Sequence, residues 1–218
     1  MDIFSAIDGG DLAGALAAVE ADPAAGHRRH PDGPTPVMHA LYQGRADIAT
    51  ALADRLGDLD LAEASALDRA ERVRALLDAG AAVDGRTPDG FTPLQLAAFF
   101  GAPDAAELLL ARGADPDAVA DNPMRIQPLH AATAGRHTRI ALLLIGAGAA
   151  LDGRQRHGWT PLMAAADHGD ADVVAALLDA GADPSVTNDD GLAAAALARA
   201  KGNDAIADRI DAALAGRA

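Results

Sequence analysis

The chain has 218 residues and a mass of 22.0 kDa, enough for one large domain with a sizeable buried core. Half of it is hydrophobic, yet only 3% is aromatic and 57 residues are alanine, so the apolar content rests on the smallest side chain and implies a thin core. A balance of 18 basic against 32 acidic residues, formally −14, disfavours nucleic acid or anionic lipid as partners, and the lack of cysteine excludes disulfide scaffolds, thiol catalysis and thiolate metal sites.

Met1 to Asp11 lacks the apolar run of a secretory leader, and no window reaches the length of a membrane helix, so a soluble, cytoplasmic chain is expected. Lys201 is the sole lysine beside seventeen arginines, a usage that fits the codon bias of a GC-rich bacterial genome and leaves lysine catalysis almost nowhere to act. A first helix pair is expected from Asp2 to Ala21, followed by a loop in which His27 and His30 flank two arginines. That loop reads as solvated and basic, because cationic neighbours oppose metal binding. Thr35-Pro36-Val37 then opens a second pair.

From here the chain repeats itself. Gly-Ala recurs at Gly80, Gly113, Gly148 and Gly181, at spacings of 33, 35 and 33 residues. A second marker keeps the same phase at Thr92-Pro93-Leu94, Gln127-Pro128-Leu129-His130 and Thr160-Pro161-Leu162. Each repeat reads as two short helices: Pro93 to Phe100, broken by Gly101, then Asp104 to Ala111, ended by Gly113. Gly, Pro and Asp-rich stretches between pairs are expected to project as turns or hairpins. Two irregularities stand out. Only 24 residues separate Thr35 from Leu59, so one hairpin is missing near residue 57, and two extra residues within 118–125 lengthen another. Alanines such as Ala97-Ala98 and Ala131-Ala132 fall on first helices, where neighbouring repeats must approach closely.

The segments FTPLQLAAFFG from Phe91 and GWTPLMAAADHG from Gly158 resemble ankyrin repeats, and the resemblance spans nearly the whole chain. It implies an all-α solenoid of about seven helix-turn-helix repeats. The bounds expected are an N-terminal cap at 1–30, repeats at 31–57, 58–85 (degenerate), 86–118, 119–153 and 154–186, and a C-terminal cap at 187–218. His130 stands at the family's T-P-L-H place, which implies a ring bonded to the adjoining turn, and His137 in the inter-helix turn is likewise structural.

No nucleophile elbow, phosphate loop or dinucleotide fingerprint is present, and Ser5, Ser65 and Ser185 have no histidine in matching positions. Asp167 and His168 are adjacent on a helix and point apart. Asp104, Glu107, Asp170 and Asp172 fit the first turns of second helices, where they favour the helix dipole. Five of the six aromatics fall where such a stack presents its concave groove: Tyr42, Phe91, Phe99, Phe100 and Trp159, with Phe91 and Trp159 expected to face outward. Arg125, Arg154, Arg156 and His157 border Trp159 as a cationic strip. The expectation is a monomeric, non-enzymatic module without cofactor or metal that binds a protein or peptide, with inhibition of a basic partner as a finer form. The alternative is a metal-dependent hydrolase or small-ligand protein using finger histidines.

Overall fold

The structure, a computed structural model, describes residues 2–217. Within them fourteen α-helices follow one another: α1 (Ile3–Asp8), α2 (Leu12–Ala21), α3 (Pro36–Tyr42), α4 (Ala46–Leu56), α5 (Leu61–Ala66), α6 (Ala70–Asp78), α7 (Pro93–Phe100), α8 (Pro103–Ala111), α9 (Pro128–Ala134), α10 (Thr138–Gly146), α11 (Pro161–His168), α12 (Ala171–Asp179), α13 (Ala194–Ala200) and α14 (Asp204–Ala215). They form seven antiparallel pairs stacked side by side, the all-α solenoid that the repeat period requires.

Side-chain caps start most of the first helices, α9 and α13 being without one. Thr35, Thr92 and Thr160 lie at N-caps in extended backbone, and each hydroxyl accepts the N–H three residues on, with proline directly behind. At Thr92 the cap is reciprocal, since the Thr92 N–H donates to Gln95 Oε1 at 2.8 Å. Asp60 and Glu63 build the same box for α5, where the T-P-L signature is absent.

Neither helix of a pair buries its apolar face alone. Ala97, Ala98, Ala132 and Ala166 are fully buried on first helices, and Leu109, Ile140, Leu144 and Leu177 fill the layer beneath second helices. Polar ties then join successive pairs. Asp84, Asp117 and Asp152 accept backbone N–H groups of Asp115, Ala150 and Asp183 at 3.1, 2.7 and 2.8 Å, and Arg139 bridges Asp104 and Glu107 of the preceding pair. Much of the acidic excess is therefore structural.

Five fingers project between pairs, and one backbone bond closes each. Four span the same length: His30 N–H to Pro34 O, Thr87 to Phe91, Gln155 to Trp159 and Asn188 to Leu192. The third, closed from Ala120 N–H to Ile126 O, is two residues longer, as the 35-residue spacing predicts. No finger separates α4 from α5, since Gly57 ends α4 in left-handed geometry and Asp60 already caps α5.

The missing finger has a structural consequence. The first and second fingers lean together over the vacancy, so that a side chain on Gly33 would meet Pro88, and Tyr42 Oη reaches Asp89 at 2.6 Å across 47 residues. Beneath them remains a cleft of about 230 Å³ lined by residues including Met38, Leu61 and Arg86. Thr35 spans this seam with a 2.6 Å bond to the buried carboxyl of Glu63. Burial, followed by the nearby Asp60 charge, pushes the Glu63 pKa above the ordinary glutamate range.

The loop at His27–His30 is solvated as expected at His27, Arg28 and Arg29, all exposed, and only His30 departs from that expectation. Asp58, Asp22 and Asp32 pair with His27, Arg28 and His30, and the His30 ring stacks on buried His39 at 4.7 Å with Phe4 against both.

Two predictions follow from this architecture. A side chain at Gly90 would overlap the Asp121 carbonyl, whereas Gly113 has open space around it, although both hold positive φ. Gly113→Ala should therefore cost about 1 kcal/mol from backbone strain, and Gly90→Ala a further ~1–3 kcal/mol from crowding, measured as urea-unfolding midpoints. For Glu63, a raised folded pKa means that the native state holds the proton more tightly than the unfolded chain. Its contribution is thus complete below the unfolded pKa of about 4.3 and is lost as pH rises through the folded value. Glu63→Gln should flatten the loss of thermal stability on going from acidic to neutral pH, read from melting curves across that range.

Candidate recognition surface of the fingers and first helices

Eight of the nine residues singled out as partner contacts fall in two clusters, and Phe91, on the second finger, belongs to neither. Tyr42, at the end of α3, lies 5.7 Å from Phe100 at the end of α7, and Phe100 lies 5.0 Å edge-on to Phe99. Phe99 is 48% exposed and Tyr42 37%, while Phe100 packs partly against the core. The absent finger brings this cluster together: it draws the second finger's Asp89 onto the Tyr42 hydroxyl, and burial with that carboxylate holds the phenol proton well above the ordinary tyrosine range. The His137 ring bonds the Phe99 carbonyl at 3.1 Å and fixes the end of α7 from the following turn but one.

The second cluster sits on the third and fourth fingers. Arg156, His157 and Trp159 line a cleft of about 330 Å³ together with Met124, Ile126 and Gln155. Arg125 stands between two of these cleft residues on the long finger. Arg154 pairs with Asp189 on the fifth finger at 3.3 Å, so it is engaged within the fold. Phe91 and Trp159, expected to face outward, are half-buried and pack on the core. Each follows its finger's glycine and precedes a capping threonine, and that turn lays the ring along the start of the first helix.

The fingers are held from below and from the side. At the third position of α7, Gln95 Nε2 donates to the Ala118 and Ile126 carbonyls, both at 2.7 Å, clamping the base of the third finger. At the same position of α9, His130 Nε2 donates to Gly153 O at 2.7 Å. Burial lowers the His130 pKa and keeps the ring neutral, with Nδ1 lacking a partner. Sideways, Asp121 N–H donates to Gly90 O at 2.9 Å, and Asp189 N–H donates to His157 O at 3.1 Å. These bonds lock the second finger to the third and the fourth to the fifth.

Among the described residues there is no group of three or more His, Asp or Glu side chains able to hold a metal. Six of the seven histidines are engaged within the fold, His39 bonding Asp8 at 2.7 Å and His168 bonding the Thr133 carbonyl at 3.2 Å beside the pairings above, while His157 has no side-chain partner among the described residues. No described helix is long and apolar enough to cross a membrane. Sequence reasoning missed Met124 and Ile126 as cleft residues. Their apolar character inside an otherwise polar finger was the available signal.

A family model described as ankyrin repeats (3 copies) matches residues 61–120 and 119–188, more than half of the chain. Human neurogenic locus notch homolog protein 4 is 39% identical over 159 residues, covering 71% of this chain and 7% of that protein. Neurospora crassa ankyrin repeat protein nuc-2 is 34% identical over 174 residues, covering 74% of this chain and 16% of that protein. Bovine cyclin-dependent kinase 4 inhibitor B is 38% identical over 117 residues, covering 54% of this chain and 88% of that protein. The chain thus spans a small fraction of the larger relatives and most of the small one.

The aromatic cluster carries its own check. Removing the Tyr42 hydroxyl deletes the bond to Asp89 but leaves the ring contacts, so Tyr42→Phe should cost about 0.5–1.5 kcal/mol of stability, read by chemical denaturation. An unchanged midpoint would show that the phenol does not hold the second finger down.

Proposed function

Because the chain belongs to the ankyrin-repeat family, we propose that it is a non-enzymatic module that binds a protein or peptide along its fingers and the ends of its first helices. The observation that carries this reading is the ring cluster of Tyr42, Phe99 and Phe100, which leaves large apolar surface open on a flank shaped by stacked repeats. Aromatic side chains exposed on a preformed surface lose little freedom on binding and concentrate contact energy. The repeat bounds given from the sequence, with caps at 1–30 and 187–218, are part of the same proposal, as are a cytoplasmic, monomeric state and a bacterial source.

The finer form is inhibition of a partner with a basic surface. Two observations support it: a formal charge of −14, and similarity to a protein named as an inhibitor of cyclin-dependent kinase 4. Long-range attraction by the acidic body would raise the rate of encounter with such a partner. The hydrolase alternative has no cluster of ligands among the described residues on which to build a mechanism.

With the partner isolated from the native host, Phe99→Ala should weaken binding by about 2 kcal/mol while leaving the melting curve in place, because the ring is half exposed. Calorimetric titration of both proteins checks this, and unchanged affinity would remove the ring cluster from the interface. If the partner is basic, association should slow steeply as salt is raised from about 50 to 300 mM, as stopped-flow mixing would show.

A further inference from the structure

The fingers do not form an even comb. Backbone bonds lock the second to the third and the fourth to the fifth, but among the described residues none joins the third to the fourth. The cause is the two-residue insertion. The base of each finger is clamped by Gln95 and His130, so the extra length of the third finger appears at its tip, out of register with its neighbour. The result is the cleft of about 330 Å³ described above.

We infer that this cleft takes an acidic peptide segment of a protein partner, with one bulky apolar side chain against Trp159 and flanking carboxylates on Arg125 and Arg156. The inference rests on the protein-binding reading and names the chemistry of one contact within it. Three apolar side chains form the seat: Trp159, Ile126 and Met124, the last 43% exposed despite its size. A flexible thioether beside an indole adapts to varied apolar shapes. The volume lies at the lower end for a small binding pocket, which suits a single side chain and its neighbouring backbone.

The rim is cationic in a strongly anionic molecule. Arg156 and His157 line it and the exposed Arg125 lies in sequence between two lining residues, and none of the three has a side-chain partner among the described residues. Asp189, which stands beside Gly158, is already engaged by Arg154. Arg125 and His157 moreover occupy left-handed backbone, with φ of 49° and 62°, where glycine would be easier to hold. A guanidinium offers a carboxylate paired donors. At physiological salt the screening length is about 8 Å, so a carboxylate in contact with these groups responds to them more than to the distant acidic excess.

The sole tryptophan of the chain lies in the cleft, so its emission reports occupancy directly. The test titrates the full chain with two synthetic octapeptides, each with a central leucine, one flanked by glutamates and the other by lysines. The expected result is a saturable change in emission with the glutamate peptide and at least tenfold weaker binding of the lysine peptide, against the preference that the net charge of −14 alone would impose. Arg125→Glu combined with Arg156→Glu should reverse the order. Equal binding of both peptides, stronger binding of the lysine peptide, or no saturable change with the glutamate peptide up to about 1 mM would overturn the inference. Those outcomes leave the broader reading intact as long as Phe99→Ala still weakens the native partner, so the two failures are distinguishable.

Discussion

The structure depends on how closely one helix pair approaches the next. First helices present Ala97-Ala98, Ala131-Ala132 and Ala164-Ala165-Ala166 to one another, and all of these are buried. With methyl groups at the contact the backbones draw near, and each pair covers the apolar face its neighbour cannot bury. This explains how a chain so poor in aromatics has a continuous core: its thickness is one helix layer over another, and larger aliphatic side chains on both helices of a pair, such as Leu94, Leu129 and Leu162 on first helices and Leu109, Ile140 and Leu144 on second, supply the volume.

Finger geometry follows from that stacking. With pairs side by side, a backbone N–H near the start of one finger reaches a carbonyl of the finger before it, as Asp121 does with Gly90 and Asp189 with His157. A change in finger length acts locally, and where a finger is missing the helices respond as well, α3 and α4 packing less closely on α5 and α6 than other successive pairs do. The chain carries both kinds of change. Deletion before α5 lets two fingers lean together and brings Tyr42 to Asp89, whereas insertion in the third finger opens a cleft beside Trp159. The two surfaces most suited to recognition both lie at irregularities of an otherwise regular array.

Much of this is legible in the sequence, because the decisive signals are local. Thr92 with Pro93 starts a helix, Gly101 and Gly113 end helices, and the residue count between markers gives finger length, so the missing finger near residue 57 and the longer one at 118–125 follow from arithmetic. What could not be read is the set of contacts made across the stack. Glu63 is one such residue, since its bond to Thr35 forms between residues 28 apart. The loop from His27 to His30 reads as open and basic, because the aspartates that pair with it and the His39 ring that receives His30 arrive from elsewhere in the chain. Trp159 reads as outward by position, yet its own turn lays it against the core.

The most direct test concerns the close approach itself. Ala132 on α9 is fully buried, and α9 stands between α7 and α11. Replacing it with leucine adds volume where the backbones leave none. Equilibrium unfolding of Ala132→Leu in urea should show a loss of about 1–3 kcal/mol, with the solenoid still helical by circular dichroism. Unchanged or increased stability would mean that the first helices have room to spare, and the account of why this chain stacks would be wrong.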